Sequence, residues 1–141
     1  MFNFFAINFL AVLVATLVSA VIGSIWFGPK TFFPVWWKFL GKSPDQQPGS
    51  SNMAYVFGLT ILGTFAAICG LALVFQVIEA ASGQMNWLDG AYVGGLLGLF
   101  IGGGASLGHR MFAGQGFKIW ILEVGNDVLA LAAAGAILTL F

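Results

Sequence analysis

Long apolar runs alternate with short polar connections along this chain. Residues 4–27, 53–78 and 90–108 contain no charged side chain. Residues 119–141 are apolar except for Glu123 and Asp127. A helix needs roughly 20 residues to cross a ~30 Å hydrocarbon layer, and each run reaches or approaches that length. Strands would leave backbone groups unpaired in lipid, and a β-barrel would show short alternating segments instead. The pattern predicts an all-α integral membrane bundle of four transmembrane helices in a single domain. The expected spans cover about 4–27, 53–79, 89–109 and 117–140, with an interfacial segment and loop over 28–52.

Composition agrees with the pattern. Hydrophobic residues make up 60% of the 141 residues and charged residues 7%. Soluble domains carry about 25% charged residues, so this inventory cannot build a soluble surface. The first run has no basic residue ahead of it and exceeds a signal peptide's apolar region, so it reads as a retained helix. Formal net charge is zero, which gives no attraction to nucleic acid.

All five basic residues fall in two of the three connections. Lys30, Lys38 and Lys42 follow the first run, and Arg110 and Lys118 follow the third. The second connection is flanked by Glu79 and Asp89 and has no basic residue. Short basic connections stay in the cytoplasm, so both termini are expected on the opposite side. Within the first connection, Phe32, Phe33, Trp36, Trp37 and Phe39 alternate with prolines and lysines. They suit the headgroup layer, with the lysines among anionic lipids. Residues 43–52 are polar, include Pro44, Pro48 and Gly49, and read as a mobile loop.

The third run repeats Gly90, Gly94, Gly98, Gly102 and Ser106 every four residues. Positions i and i+4 share one helix face, so the helix presents a groove almost bare of side chains. Gly95 and Gly103 widen it. The first run carries Ala11, Ala15, Ser19 and Gly23 at the same spacing, and the fourth carries Ala130 and Ala134. Small residues allow the close helix contact that drives association in lipid. The expected use is packing within the bundle, overlapping into a homo-oligomer seam. A glycine-lined passage is the other reading.

Glu123 and Asp127 share a face of the fourth run. At ~1.5 Å per residue from Phe117, they lie about 9 Å and about 15 Å deep. An ionised Asp at the bilayer centre costs about 2.5–3.5 kcal/mol on insertion scales. Such a group must face the bundle, find a partner or take up a proton. Arg110 and His109 end the antiparallel third span, so Glu123 is expected to pair with Arg110. Thr64 and Thr16 lie at the level of Asp127, and Thr60 lies nearer Glu123. These groups could form a polar seam through the basic half. Towards the other surface the chain offers Asn8, Gln76, Glu79, Asp89 and Tyr92, which leaves a one-helix relay without a middle.

No catalytic set of Ser, His, Asp or Cys is visible, so no enzyme is expected. The single Cys69 and single His109 leave no metal cluster, and no cofactor is implied. The stretch GGLLGLFIGGG lies inside a span and cannot serve as a nucleotide loop. Two functions remain. One is transport of protons or a small solute by the intramembrane acids. The other is an accessory or assembly subunit that docks on a larger membrane complex.

Gly23-Ser-Ile-Trp26-Phe27-Gly28-Pro29, followed by Trp36-Trp37-Lys38 and Gly41, resembles the opening of a bacterial membrane family, domain of unknown function 1761. The close of the chain, from Gly125 to Gly135-Ala136-Ile137-Leu138, is similar to the last span of that family. The resemblance implies a four-helix protein of the bacterial inner membrane. It implies no agreed activity and no functional residue. At the position of Glu123 it implies a neutral polar residue such as Asn.

Overall fold

The computed structural model describes residues 3–47 and 52–141. Pro48 and Gly49 of the expected loop lie outside the described residues, as does Met1. Four helices are long and apolar enough to cross a membrane: Phe9–Trp26, Met53–Ser82, Trp87–Phe112 and Phe117–Leu138. We call the first α1 and the second α3, with a short helix α2, Phe33–Phe39, between them. The third span has three parts: α4, Trp87–Leu97; a π-helical stretch, Gly98–Gly103; and α5, Gly104–Phe112. The fourth span is α6.

Polar caps set the helix starts. Asn8 accepts from the Ala11 amide, so α1 begins at Phe9 rather than at Phe4. A 3-10 turn, Phe4–Ala6, precedes it. Asn86 and Asp89 form a reciprocal capping box that starts α4. Gly83 (φ 88°) and Gly116 (φ 82°) take the left-handed backbone at two of the turns.

The fourth span is the centre of the bundle. It packs against α1, α4, the π stretch and α5, and touches α2 and α3. The small residues explain its closeness to α4. A methyl group at Gly90 or Gly94 would overlap the carbonyls of Gly135 and Leu131. Gly98 lies on the backbone of Asp127 and Val128. On α1, Ala11, Ala15 and Ser19 are buried. The Ser19 hydroxyl donates to the Ala130 carbonyl on α6 (3.4 Å).

The ladder does not continue as expected. The wider π turn shifts the helix face by one residue. Gly102 turns outward with nothing within 4 Å of where a Cβ would stand, and Gly103 takes its place against Val124. This corrects the four-residue pattern at Gly102. Ser106 returns to the inner side, and its hydroxyl donates to Gly103 O.

Packing is uneven along the membrane axis. The core gathers Ile7, Val12, Ala15, Ile68, Cys69, Leu71, Phe75, Met85 and Ala134. All lie in the half away from the basic connections. There α3 is buried at Ile68, Cys69, Leu71 and Phe75. In the other half, residues 53–63 of α3 are exposed throughout. At the basic end Ile119 and Val124 of α6 stay buried, so the cleft there comes from the exposed stretch of α3.

Candidate intramembrane polar cleft

The open half of α3, the short helix α2 and the first turns of α6 enclose a cleft of about 640 Å³. Its walls carry Glu123, Asn126 and Asp127 from α6, Ser106 and Arg110 from α5, and Thr60 from α3. Phe27, Phe33, Trp36, Trp37 and Phe57 line the rest with Met53 and Val56.

Arg110 and Glu123 form the fixed side of the site. Arg110 Nε lies 2.6 Å from Glu123 Oε2. The same guanidinium donates to Gln115 Oε1 (2.6 Å) in the turn that joins α5 to α6. Glu123 Oε1 accepts from the Trp36 indole (3.1 Å). Both oxygens of Glu123 and two sides of Arg110 are therefore engaged, and the pair carries no net charge.

Asp127 is different. It is exposed to the cleft rather than packed into the bundle. Among the described residues one hydrogen bond reaches it, a long one from Asn126 Nδ2 (3.4 Å). Its backbone is pressed on Gly98, so the helix is anchored while the carboxylate faces open space. Asn126 Oδ1 is buried without a partner among the described residues. It faces Gly23 of α1, where a Cβ would stand 3.8 Å away.

Several expected members stand elsewhere. His109 is exposed and does not line the cleft. Thr64 and Thr16 do not line it either, and each hydroxyl bonds a carbonyl of its own helix, Thr60 O and Val12 O. Thr60 lines the cleft, but its hydroxyl donates to Val56 O. The expected threonine seam is thus replaced by self-satisfied hydroxyls. Trp36 turns its indole inward onto Glu123, a bond that the headgroup expectation did not include.

Tryptophans tie the surrounding frame. The Trp26 indole donates to Leu122 O (2.9 Å), and its ring lies on Gly125, where a Cβ would come within 2.8 Å. Trp120 donates to Gly103 O (2.9 Å) at the π turn. Trp37 donates to Ser43 O (3.0 Å). Lys118 lies over the Phe39 ring (5.5 Å), which brings the two basic connections to one end. Spacing alone gave no sign of these long-range indole bonds. The aromatic density of the first connection signals only Trp36 and Trp37.

A smaller cavity of about 130 Å³ lies at the end away from the basic connections, lined in part by Asn8, Gln76 and Glu79. Between the two cavities Thr16 and Ser19 are buried. Among the described residues, no group of three or more His, Cys, Asp or Glu side chains could hold a metal ion.

Residues 10–139 match the family model described as protein of unknown function (DUF1761). The chain belongs to that family. No curated protein and no solved structure matches it. The match spans all four membrane-length helices, including the Trp26 anchor and the cleft. Membership adds no activity to the geometry, so any function rests on the site itself.

Proposed function

We propose that this protein moves protons, or a small solute with them, across a membrane through the cleft that Asp127 faces. Asp127 carries the reading. It is a carboxylate about 15 Å along the span from Phe117, facing a cavity with one weak hydrogen bond. A purely structural acid at that depth would be paired and packed, as Glu123 is. Ionisation is tolerable where the cleft admits water, and uptake of a proton removes the charge when the wall closes. A bundle with a cleft along α3 at the basic end and its main core at the other has the shape of a carrier rather than of a continuous pore. The second polar cavity near Glu79 supplies a place for release at that other end.

In this reading the protein is not an enzyme: it binds and releases without making or breaking a substrate's bonds. The basic end lies in the cytoplasm, because all five Lys and Arg residues belong to its connections. Both termini then lie outside. The host membrane is the bacterial cytoplasmic one implied by the family resemblance.

The test is proton flux in sealed proteoliposomes containing a pH dye. An imposed acid gradient should collapse faster with the wild-type protein than with empty vesicles. Asp127→Asn should return the rate to that of empty vesicles while elution volume and helix content stay unchanged. Undiminished flux in that variant would remove Asp127 from the mechanism.

Exposed glycines on α3 and α5 favour a second role, as an accessory subunit or one copy of a homo-oligomer. Residues 53–63 are exposed throughout, and Gly58, Gly63, Gly104 and Gly108 have nothing within 4 Å of a Cβ position. Gly98 cannot serve this role, since α6 already covers it. Gly108→Leu should release a copurifying partner in mild detergent if this face docks. Full retention of the partner would assign docking elsewhere.

A further inference from the structure

We propose that the cleft beside Asp127 is a binding site for a lipophilic organic cation, of the quaternary ammonium or phosphonium class, which exchanges there with a proton. This rests on the transport reading above and names its substrate class.

Charge decides the sign of the ligand. Arg110 and Glu123 cancel at 2.6 Å, and Asp127 is left as the one unmatched charge on the wall. Among the described residues α1, α2 and α3 contribute no titratable or charged side chain to this lining. An ionised cleft therefore has a formal charge of −1, and an anion would meet no free donor of positive charge.

Shape and chemistry exclude a bare metal cation as the best fit. A hard cation needs six or more oxygen ligands at short range. The cleft offers one free carboxylate; the Asn126 amide oxygen is turned to Gly23 of α1, and the Thr60 hydroxyl is already engaged. A volume of about 640 Å³ instead falls within the roughly 300–1,000 Å³ of sites for drug-sized ligands.

The lining supplies what such a cation needs. Phe27, Phe33, Trp36, Trp37 and Phe57 face the cavity that Asp127 faces. Aromatic faces attract cations by their quadrupole, more strongly where water is scarce. A diffuse charge shielded by carbon groups loses little hydration on entering. A route in lies along α3: residues 53–63 are exposed throughout, and Phe57 there is 60% exposed. In the transport reading this exposed stretch of α3 faces the acyl chains, where lipophilic cations accumulate.

The exchange balances in charge. A protonated, neutral Asp127 releases one proton as one monovalent cation binds, and the reverse step restores it. The groups that face Asp127 are Glu123 on its own helix and Arg110 from α5. Both stay paired throughout, so one proton is exchanged per cation.

The test uses the full chain in nanodiscs of neutral phospholipid, titrated with tetraphenylphosphonium by calorimetry. Binding should be saturable, one per chain, and should weaken about tenfold per pH unit once Asp127 is protonated. Tetraphenylborate, the anion of the same shape, should not bind. Asp127→Asn should weaken binding at least tenfold and abolish its pH dependence. Phe57→Leu, a change at an exposed position, should weaken binding several-fold and keep the pH dependence. Equal binding of the borate, or unaltered binding by Asp127→Asn, would overturn the proposal. So would sub-stoichiometric binding with Thr60→Cys disulfides between chains, since a second copy would then fill the cleft. Proton flux that requires Asp127 without phosphonium binding would sink the substrate class and keep the transport reading. Asp127-dependent binding without flux would support the class and sink transport.

Discussion

The backbone of Gly94 lies directly on the carbonyl of Leu131, with no room for a methyl group between them. This contact fixes α4 to α6 and, through α6, sets the position of the acidic face. Gly94→Ala forces backbone rather than a side-chain tip to move. The expected loss is at least the 1–3 kcal/mol or so typical of overpacking. Gly102→Ala meets nothing within 4 Å and should stay within about 0.5 kcal/mol of wild type. Detergent-unfolding curves of the two variants would check the contrast. Equal losses would show that the register shift at the π turn is wrong.

The Arg110–Glu123 pair predicts a graded series. Glu123→Gln removes the ion pair but leaves an oxygen for the Trp36 indole. Glu123→Ala removes both. Hydrogen bonds to charged groups are worth about 1.5–3 kcal/mol. The 37% exposure of the Arg110 side chain puts the first loss at the lower end. Unfolding free energies should fall in the order wild type, Gln, Ala. An alanine variant no weaker than the glutamine variant would rule out the indole bond.

How much of this was legible beforehand follows from what each signal measures. Run length against bilayer thickness reads the four spans, because over an unbroken apolar run of that length only a helix pairs all of its own backbone groups. Depth along consecutive antiparallel spans reads the closeness of Arg110 to Glu123. Depth says nothing of azimuth, so it could not tell that Asp127 opens into a cleft while Thr64 and Thr16 look elsewhere. A strict four-residue ladder also assumes an unbroken α-helix. In Gly98–Gly103 the hydrogen-bond register slips, and a glycine-rich run leaves no compositional mark of that slip. Trp36 could be read as an aromatic near an interface, but not as a donor to an acid 87 positions away.

The cleft should be wet at its basic end. Cys69 is the only cysteine and is buried, so the wild-type chain should resist a water-soluble maleimide. Thr60→Cys adds a thiol on the cleft wall and should label from the basic side of oriented vesicles. Failure of that thiol to label from either side would mean a dry, lipid-filled cleft.

Trp26 anchors the end of α1 on α6 through its bond to Leu122 O and its seat on Gly125. Trp26→Phe keeps the ring contact and loses the donor, at an expected cost of about 1 kcal/mol. Gly125→Ala should displace the ring and cost more. Unfolding measurements on the pair would distinguish them, and a harmless Gly125→Ala would mean that the ring has another place to go.

In the transport reading Asp127 exchanges protons with water from within the membrane. Difference infrared spectroscopy of the protein in lipid tests it most directly, with Asp127→Asn identifying the carboxyl band. That band should grow and fade as buffer pH is stepped, and shift promptly in heavy water. A band indifferent to both pH and heavy water would contradict it, leaving Asp127 a sealed structural group.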